Sequence, residues 1–284
     1  MRPRDLYALA GVFSLIALLA FGGASGAAER PKQGGILKVA LDADVKGLDI
    51  QTTAGKEPRW VLEHVHNNIV TITPDFQLVP ELAERWTVAD DGLSITFDLR
   101  QGVKFHDGTP WNAEALQFNI ERVLDPQTKS PYRQLIQPIN AAQVIDEYRA
   151  KVTLARPYRN ILLALASYRN GLYMVSPAAV KQWGKDYQLH PVGTGPFVFK
   201  EWVAHSHVSL EHNPHYFKQG LPHLDGIQLR VVTDPIARIT ALRTGELDVI
   251  NELPPAMVQI MEKFPGARIY TGPELAFLFA PFDL

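Results

Sequence analysis

The sequence predicts an α/β protein, and three observations carry that expectation. Period-two strands recur along the chain, clearest where Leu93, Ile95, Phe97 and Leu99 alternate with Ser94, Thr96, Asp98 and Arg100. Helical segments with complete start and stop signals fall between them, at Asn112–Leu124 and at Asp234–Gly245. The composition is that of a globular chain, with 46% hydrophobic and 20% charged residues over 284 positions, a length that suggests about two domains. A formal charge of −2, with no basic stripe and no run of like charges, excludes nucleic acid as a partner.

The N-terminus has three parts. Arg2 and Arg4 form a charged start, residues 8–21 are apolar, and residues 22–28 are small. This pattern predicts a secretory signal peptide over residues 1–28, because the apolar run falls short of the ~20 residues a membrane-spanning helix needs. The chain has no cysteine, which excludes a lipid attached through a thiol, and a chain of this size needs no disulfides to hold a core.

The elements then follow in order. Gly34–Leu41 is an opening strand. Asp42, Asp44 and Gly47 begin like a calcium loop, but Lys46 takes a ligand position and Thr53 stands where the bidentate glutamate belongs. Glu57–Asn68 is a helix with Val61, Val65 and Ile69 on one face and Pro58 in its first turn. Trp86–Val88 and Leu93–Leu99 pair across Ala89-Asp90-Asp91-Gly92. His106-Asp107-Gly108 is a turn, Asn112 caps a helix burying Leu116, Ile120, Val123 and Leu124, and Asp125-Pro126 ends it.

Val144-Ile145 and Ala150–Leu154 form a second hairpin. Ile161–Ala166 is a short apolar helix, Leu172–Val175 a buried strand, and Ser176-Pro177 starts a helix that Gly184 stops. In His190-Pro191-Val192-Gly193-Thr194-Gly195-Pro196 the glycines and proline force a sharp turn, and Phe197–Trp202 leaves it as a strand. No Gly-Lys-Ser/Thr follows and no helix opens, so the glycines are not a nucleotide cradle. Asp234-Pro235 caps a helix ending at Gly245, Glu246–Ile250 is a strand, and Leu275–Leu284 is an apolar strand.

Four stretches carry a resemblance. HPVGTGPFVFKEW (190–202) is one. The run from Glu81-Leu82-Ala83-Glu84-Arg85-Trp86 through Phe105-His106-Asp107-Gly108 to Ala113-Glu114 is the second. Asn213-Pro214-His215-Tyr216-Phe217 is the third, and Asp234-Pro235 with Gly245-Glu246-Leu247-Asp248 is the last. Together with Leu48-Asp49-Ile50 they resemble the extracytoplasmic solute-binding proteins of peptide, nickel and glutathione ABC importers (family 5). The departures are small: Asn112 replaces a threonine, Ala115 an aspartate and Phe217 a tryptophan.

That resemblance implies a periplasmic binding protein-like fold (class II, cluster C type), a mixed-sheet lobe interrupted by a smaller α+β domain. It divides the chain into the signal peptide, main-domain parts at 29–68 and 190–270, an inserted domain at 69–189, and a crossover beginning at 271–284. It covers roughly the first half of a family member, so the second lobe is expected to be missing and the sequence to be a fragment or truncated gene product. It implies a monomer in the periplasm that captures a peptide or related small solute without covalent chemistry and delivers it to the permease, with no cofactor and no resident metal.

The same resemblance supplies site residues. Arg169, in Tyr168-Arg169-Asn170-Gly171, matches an arginine that grips a ligand carboxylate, a task suited to a guanidinium's parallel donors. Tyr132 matches a cleft aromatic, and Thr53 follows the first turn toward the cleft. Gly193, Thr194, Gly195 and Pro196 mark the return to the main domain and act as a hinge. Two other classes remain open: a metal-dependent hydrolase using His205, His207, His212, His215 and His223, or a non-transport, chaperone-like remnant. The histidines lack a His-Glu-x-x-His spacing, and His106-Asp107 has no nucleophile beside it.

Overall fold

A computed structural model describes residues 31–166 and 172–270. The expected signal peptide, Arg169 and the strand over Leu275–Leu284 lie outside the described residues. In chain order the elements are β1 (Ile36–Leu41), α1 (Lys56–Leu62), β2 (Val70–Ile72), β3 (Leu78–Pro80), β4 (Ala83–Val88) and β5 (Ser94–Leu99). Then come α2 (Ala113–Leu124), β6 (Ile139–Asp146), β7 (Arg149–Leu154), α3 (Ile161–Ala166) and α4 (Pro177–Trp183). The last are β8 (Phe197–Val203), β9 (His207–His212), β10 (Gly226–Val231), α5 (Pro235–Thr244) and α6 (Pro255–Glu262).

These strands make two four-stranded sheets and a small β2–β3 ribbon. One sheet has the order β1-β10-β9-β8; it is mixed, because β1 runs parallel to β10 while the β10–β9 and β9–β8 pairs are antiparallel. Its register matches Ile36 to Gly226 and Leu41 to Val231, joining residues far apart in the chain. The other sheet, β4-β5-β7-β6, is antiparallel throughout.

Alternation decides which faces are buried. Ile95, Phe97 and Leu99 of β5 and Ala150, Val152 and Leu154 of β7 point one way, and Leu116, Ile120 and Val123 of α2 cover them. Asn112 starts that helix as expected, its Oδ1 accepting from Ala115 N at 2.9 Å. Asp234 and Ser176 do the same for α5 and α4, and α5 ends on Gly245 at φ 78°. A second core packs Leu41, Val61, Leu62 and Val65 against Phe197, Val208, Leu210 and Leu229, and Val192 touches both cores.

Three expected elements differ. The helix over Glu57–Asn68 stops at Leu62. The residues beyond it turn inward, and His66, Asn67 and Asn68 are all buried: His66 Nδ1 bonds Met174 O, and Asn67 Nδ2 and Asn68 N donate to Glu81. Leu172–Val175 is buried but pairs as a single bridge, Tyr173 to Asn68. Side chains stand where a neighbouring strand would be: Asn119 bonds both Val175 N and Val175 O, and Gln51 Nε2 donates to Tyr173 O. Glu246–Ile250 likewise pairs with β1 as a single bridge, Val249 to Val39, while Asp248 N donates to Lys38 O and Asp248 Oδ2 accepts from Lys38 N at 2.8 Å.

Candidate functional site

Thr53 and Tyr132, 79 positions apart, meet directly: Tyr132 Oη donates to Thr53 O at 3.0 Å. The loop after β1 holds this contact in place. Asp49 turns the chain by accepting from Gln51 N, and Gln51 O accepts from Ser130 Oγ at 2.6 Å. Ser130 Oγ also accepts from Tyr132 N at 3.2 Å, so the tyrosine is fixed from both ends.

Arg59 completes the group. Its guanidinium carbon lies 5.1 Å from the centre of the Tyr132 ring and 5.7 Å from that of Tyr173, a buried cation facing two aromatic faces. One turn along, burial pushes the Glu63 carboxyl up to about 7, against the pull of the Arg59 charge. Burial also raises the Tyr173 phenol, so it is un-ionised and able to donate.

Apolar periodicity does not mark Arg59, although it lies on the buried face of α1. The available signal is its place beside Pro58 and Val61, both on the buried side of the helix. Neither of two surface cavities, of about 230 and 310 Å³, is lined by Thr53, Tyr132 or Arg59.

The Gly193–Pro196 turn is bound by three separate stretches of chain. Gly195 N donates to Val65 O at 2.9 Å, His106 N to Gly193 O at 2.9 Å, and Asn213 Nδ2 to Gly195 O at 2.8 Å. Thr194 Oγ1 donates to Asn67 Oδ1 at 3.0 Å, and Asn67 passes the connection to Glu81. A Cβ on Gly193 would lie 2.1 Å from Val65 O, so only glycine permits this approach.

The histidines from 205 to 223 do not converge. His205 pairs with Asp44 at 3.0 Å, His207 with Glu201 at 3.3 Å, His212 with Leu224 O, and His223 with Gln33. Among the described residues, no group of three or more His, Cys, Asp or Glu side chains is placed to hold a metal ion. The hydrolase alternative has no assembled centre there.

Residues 77–284 match the family model described as bacterial extracellular solute-binding proteins, family 5 Middle. The chain is 31% identical over 237 residues to the glutathione-binding protein GsiB of Pectobacterium atrosepticum, covering 84% of this chain and 46% of that protein. A binding protein from A. tumefaciens R10, AgaA, solved with agropinic acid, superposes with a TM-score of 0.77 at 31% identity, covering 81% of this chain and 46% of that one. The Helicobacter pylori periplasmic binding protein DppA, solved with the peptide STSA, gives 0.75 at 26% identity, with 82% and 50% covered. The chain thus spans about half the length of these relatives, and its fold is that of their matched portion: a mixed-sheet lobe, with no second lobe among the described residues. The chain belongs to family 5 of the bacterial extracellular solute-binding proteins.

Proposed function

We propose that the chain contributes one lobe of the solute-capturing component of an ABC importer, acting as a non-enzymatic monomer in the periplasm. Residues 1–28 direct export. Residues 29–68 and 190–270 build the main domain, 69–189 form the inserted domain, and 271–284 begin the crossover. The ligand is a peptide or related small solute, the class to which the glutathione and peptide ligands of the relatives belong. It sits between this lobe and a second one, and the closed form docks on the permease.

The observation that carries this reading is the joining of Tyr132 to Thr53 and Arg59, two distant stretches of a chain of this family. Tyr132 supplies a flat apolar wall, Thr53 lies at its edge, and Arg169 grips a ligand carboxylate with parallel donors. Gly193 to Pro196 act as the hinge-side turn.

The test is native mass spectrometry of the protein from a periplasmic extract, followed by calorimetry with glutathione and with short peptides. A ligand of defined mass is expected, with Arg169→Ala weakening its binding at least ~10-fold. A chain that arrives empty and binds none of these at millimolar concentration overturns the proposal.

A further inference from the structure

Three imidazoles gather at the Gly193–Gly195 turn. The His66 ring is buried, and its Nδ1 lies 2.9 Å from Met174 O. A carbonyl only accepts, so Nδ1 carries the proton; Nε2 is bare, shut off from solvent and without a hydrogen-bond partner. His106 repeats the arrangement with the nitrogens exchanged. Its Nε2 donates to Gly195 O at 3.0 Å, and its bare Nδ1 is buried and unpartnered. The His64 ring meets Phe197 edge-on at 6.2 Å, while His64 O accepts from Phe197 N at 3.1 Å.

The turn is pressed onto these groups. A Cβ on Gly193 would lie 2.5 Å from His66 Nδ1, and on Gly195 2.5 Å from His64 O. Neither bare nitrogen has an acceptor for a second proton, and a charge there has no solvent. We propose that the turn is an acid-released clasp: protonation of His66 and His106 opens Gly193–Gly195 locally while the β4–β7 sheet stays folded.

The surrounding charges do not rescue the protonated rings. Asp49 and Arg122 act on His66 with opposite sign and are already paired with each other at 2.6 Å. His106 also faces His66, and a proton on either opposes one on the other. Asp107, beside His106, already accepts from Thr109 N, Thr109 Oγ1 and Ser176 Oγ. Glu81 reaches the turn only through Asn67 and Thr194, and its nearest cation is Lys218 at 4.0 Å. Phe197, against His64, is apolar.

Burial pushes all three imidazoles down to about 4. A depressed imidazole contributes stability that is whole above its unfolded value, about 6.5, and is lost as the pH falls toward 4. One such ring raises the opening constant about 20-fold between pH 7 and 5.

Amide hydrogen exchange, corrected for its intrinsic pH dependence, tests the clasp. The amides of His106, Gly195 and Phe197 are expected to lose at least ~20-fold protection between pH 7 and 5, while the β5–β7 ladder keeps its own. His66→Asn with His106→Gln retains each donor without a titrating nitrogen, and should remove the loss of protection that the two rings cause between pH 7 and 5. Loss of protection in the turn and ladder together, or in neither, overturns the proposal in the wild-type protein even if the variant does not fold.

Discussion

Arg122 of α2 holds Asp49 with both arms of its guanidinium, Nη2 at 2.6 Å from Oδ2 and Nη1 at 3.2 Å from Oδ1. Both side chains are nearly buried, and Arg122 Nη1 also donates to Gln51 Oε1 at 2.8 Å. The pair locks the loop after β1 onto the helix covering the other sheet, upstream of Thr53. Arg122→Met strands a buried carboxylate and should cost about 3–5 kcal/mol in urea unfolding. Adding Asp49→Asn should recover part of that loss, because the amide oxygen can still accept from Gln51 N. Equal effects of the single and double variants would deny the pairing.

Two glycines near the turns should separate steric from conformational cost. Gly108 sits at φ +84° with nothing within 4 Å of an added Cβ, so Gly108→Ala should cost about 1 kcal/mol. Gly193→Ala drives a methyl into Val65 O and His66 and should cost about 3 kcal/mol or more, or prevent folding. Denaturant midpoints of the two proteins give the comparison, and similar values would mean that the Val65 backbone yields easily.

Local devices made much of the fold legible. The Asn112 cap, the Asp234-Pro235 start and the period-two strand at 94–99 are settled by neighbours in sequence, and they form as expected. The segments at 63–68 and 172–175 depart from the expected helix and strand because their backbone partners are distant. Met174 N goes to Asn67 O and Val175 N to Asn119 Oδ1, contacts no periodicity encodes. His66-Asn67-Asn68 between apolar Val65 and Ile69 was a usable hint of a buried polar crossing. At the site, the family resemblance points to Thr53 and Tyr132, whereas their contact and the approach of Arg59 depend on packing between elements.

Tyr132 can be tested by separating its hydroxyl from its ring. Tyr132→Phe removes the bond to Thr53 O and keeps the face toward Arg59, so ligand affinity should fall about threefold. Tyr132→Ala removes the ring as well and should lower affinity about 10- to 30-fold. Calorimetry with whichever ligand co-purifies measures both. Unchanged affinity in the alanine variant would move the site away from this residue.

Glu63 and the turn histidines make opposite demands on pH. Burial holds the Glu63 carboxyl up at about 7, so the folded state binds this proton more tightly than the unfolded chain does. Its contribution is therefore whole below about pH 4.5 and is lost as the pH rises through 7, whereas the buried imidazoles lose theirs in acid. Glu63→Gln keeps the shape of the protonated acid and cannot ionise. Its stability relative to wild type should therefore rise between pH 5 and pH 8, by about 1–3 kcal/mol once partial exposure is allowed for. Urea unfolding of both proteins across that range measures the change. A difference independent of pH would mean that the Glu63 carboxylate is already charged at pH 5, with Arg59 outweighing burial.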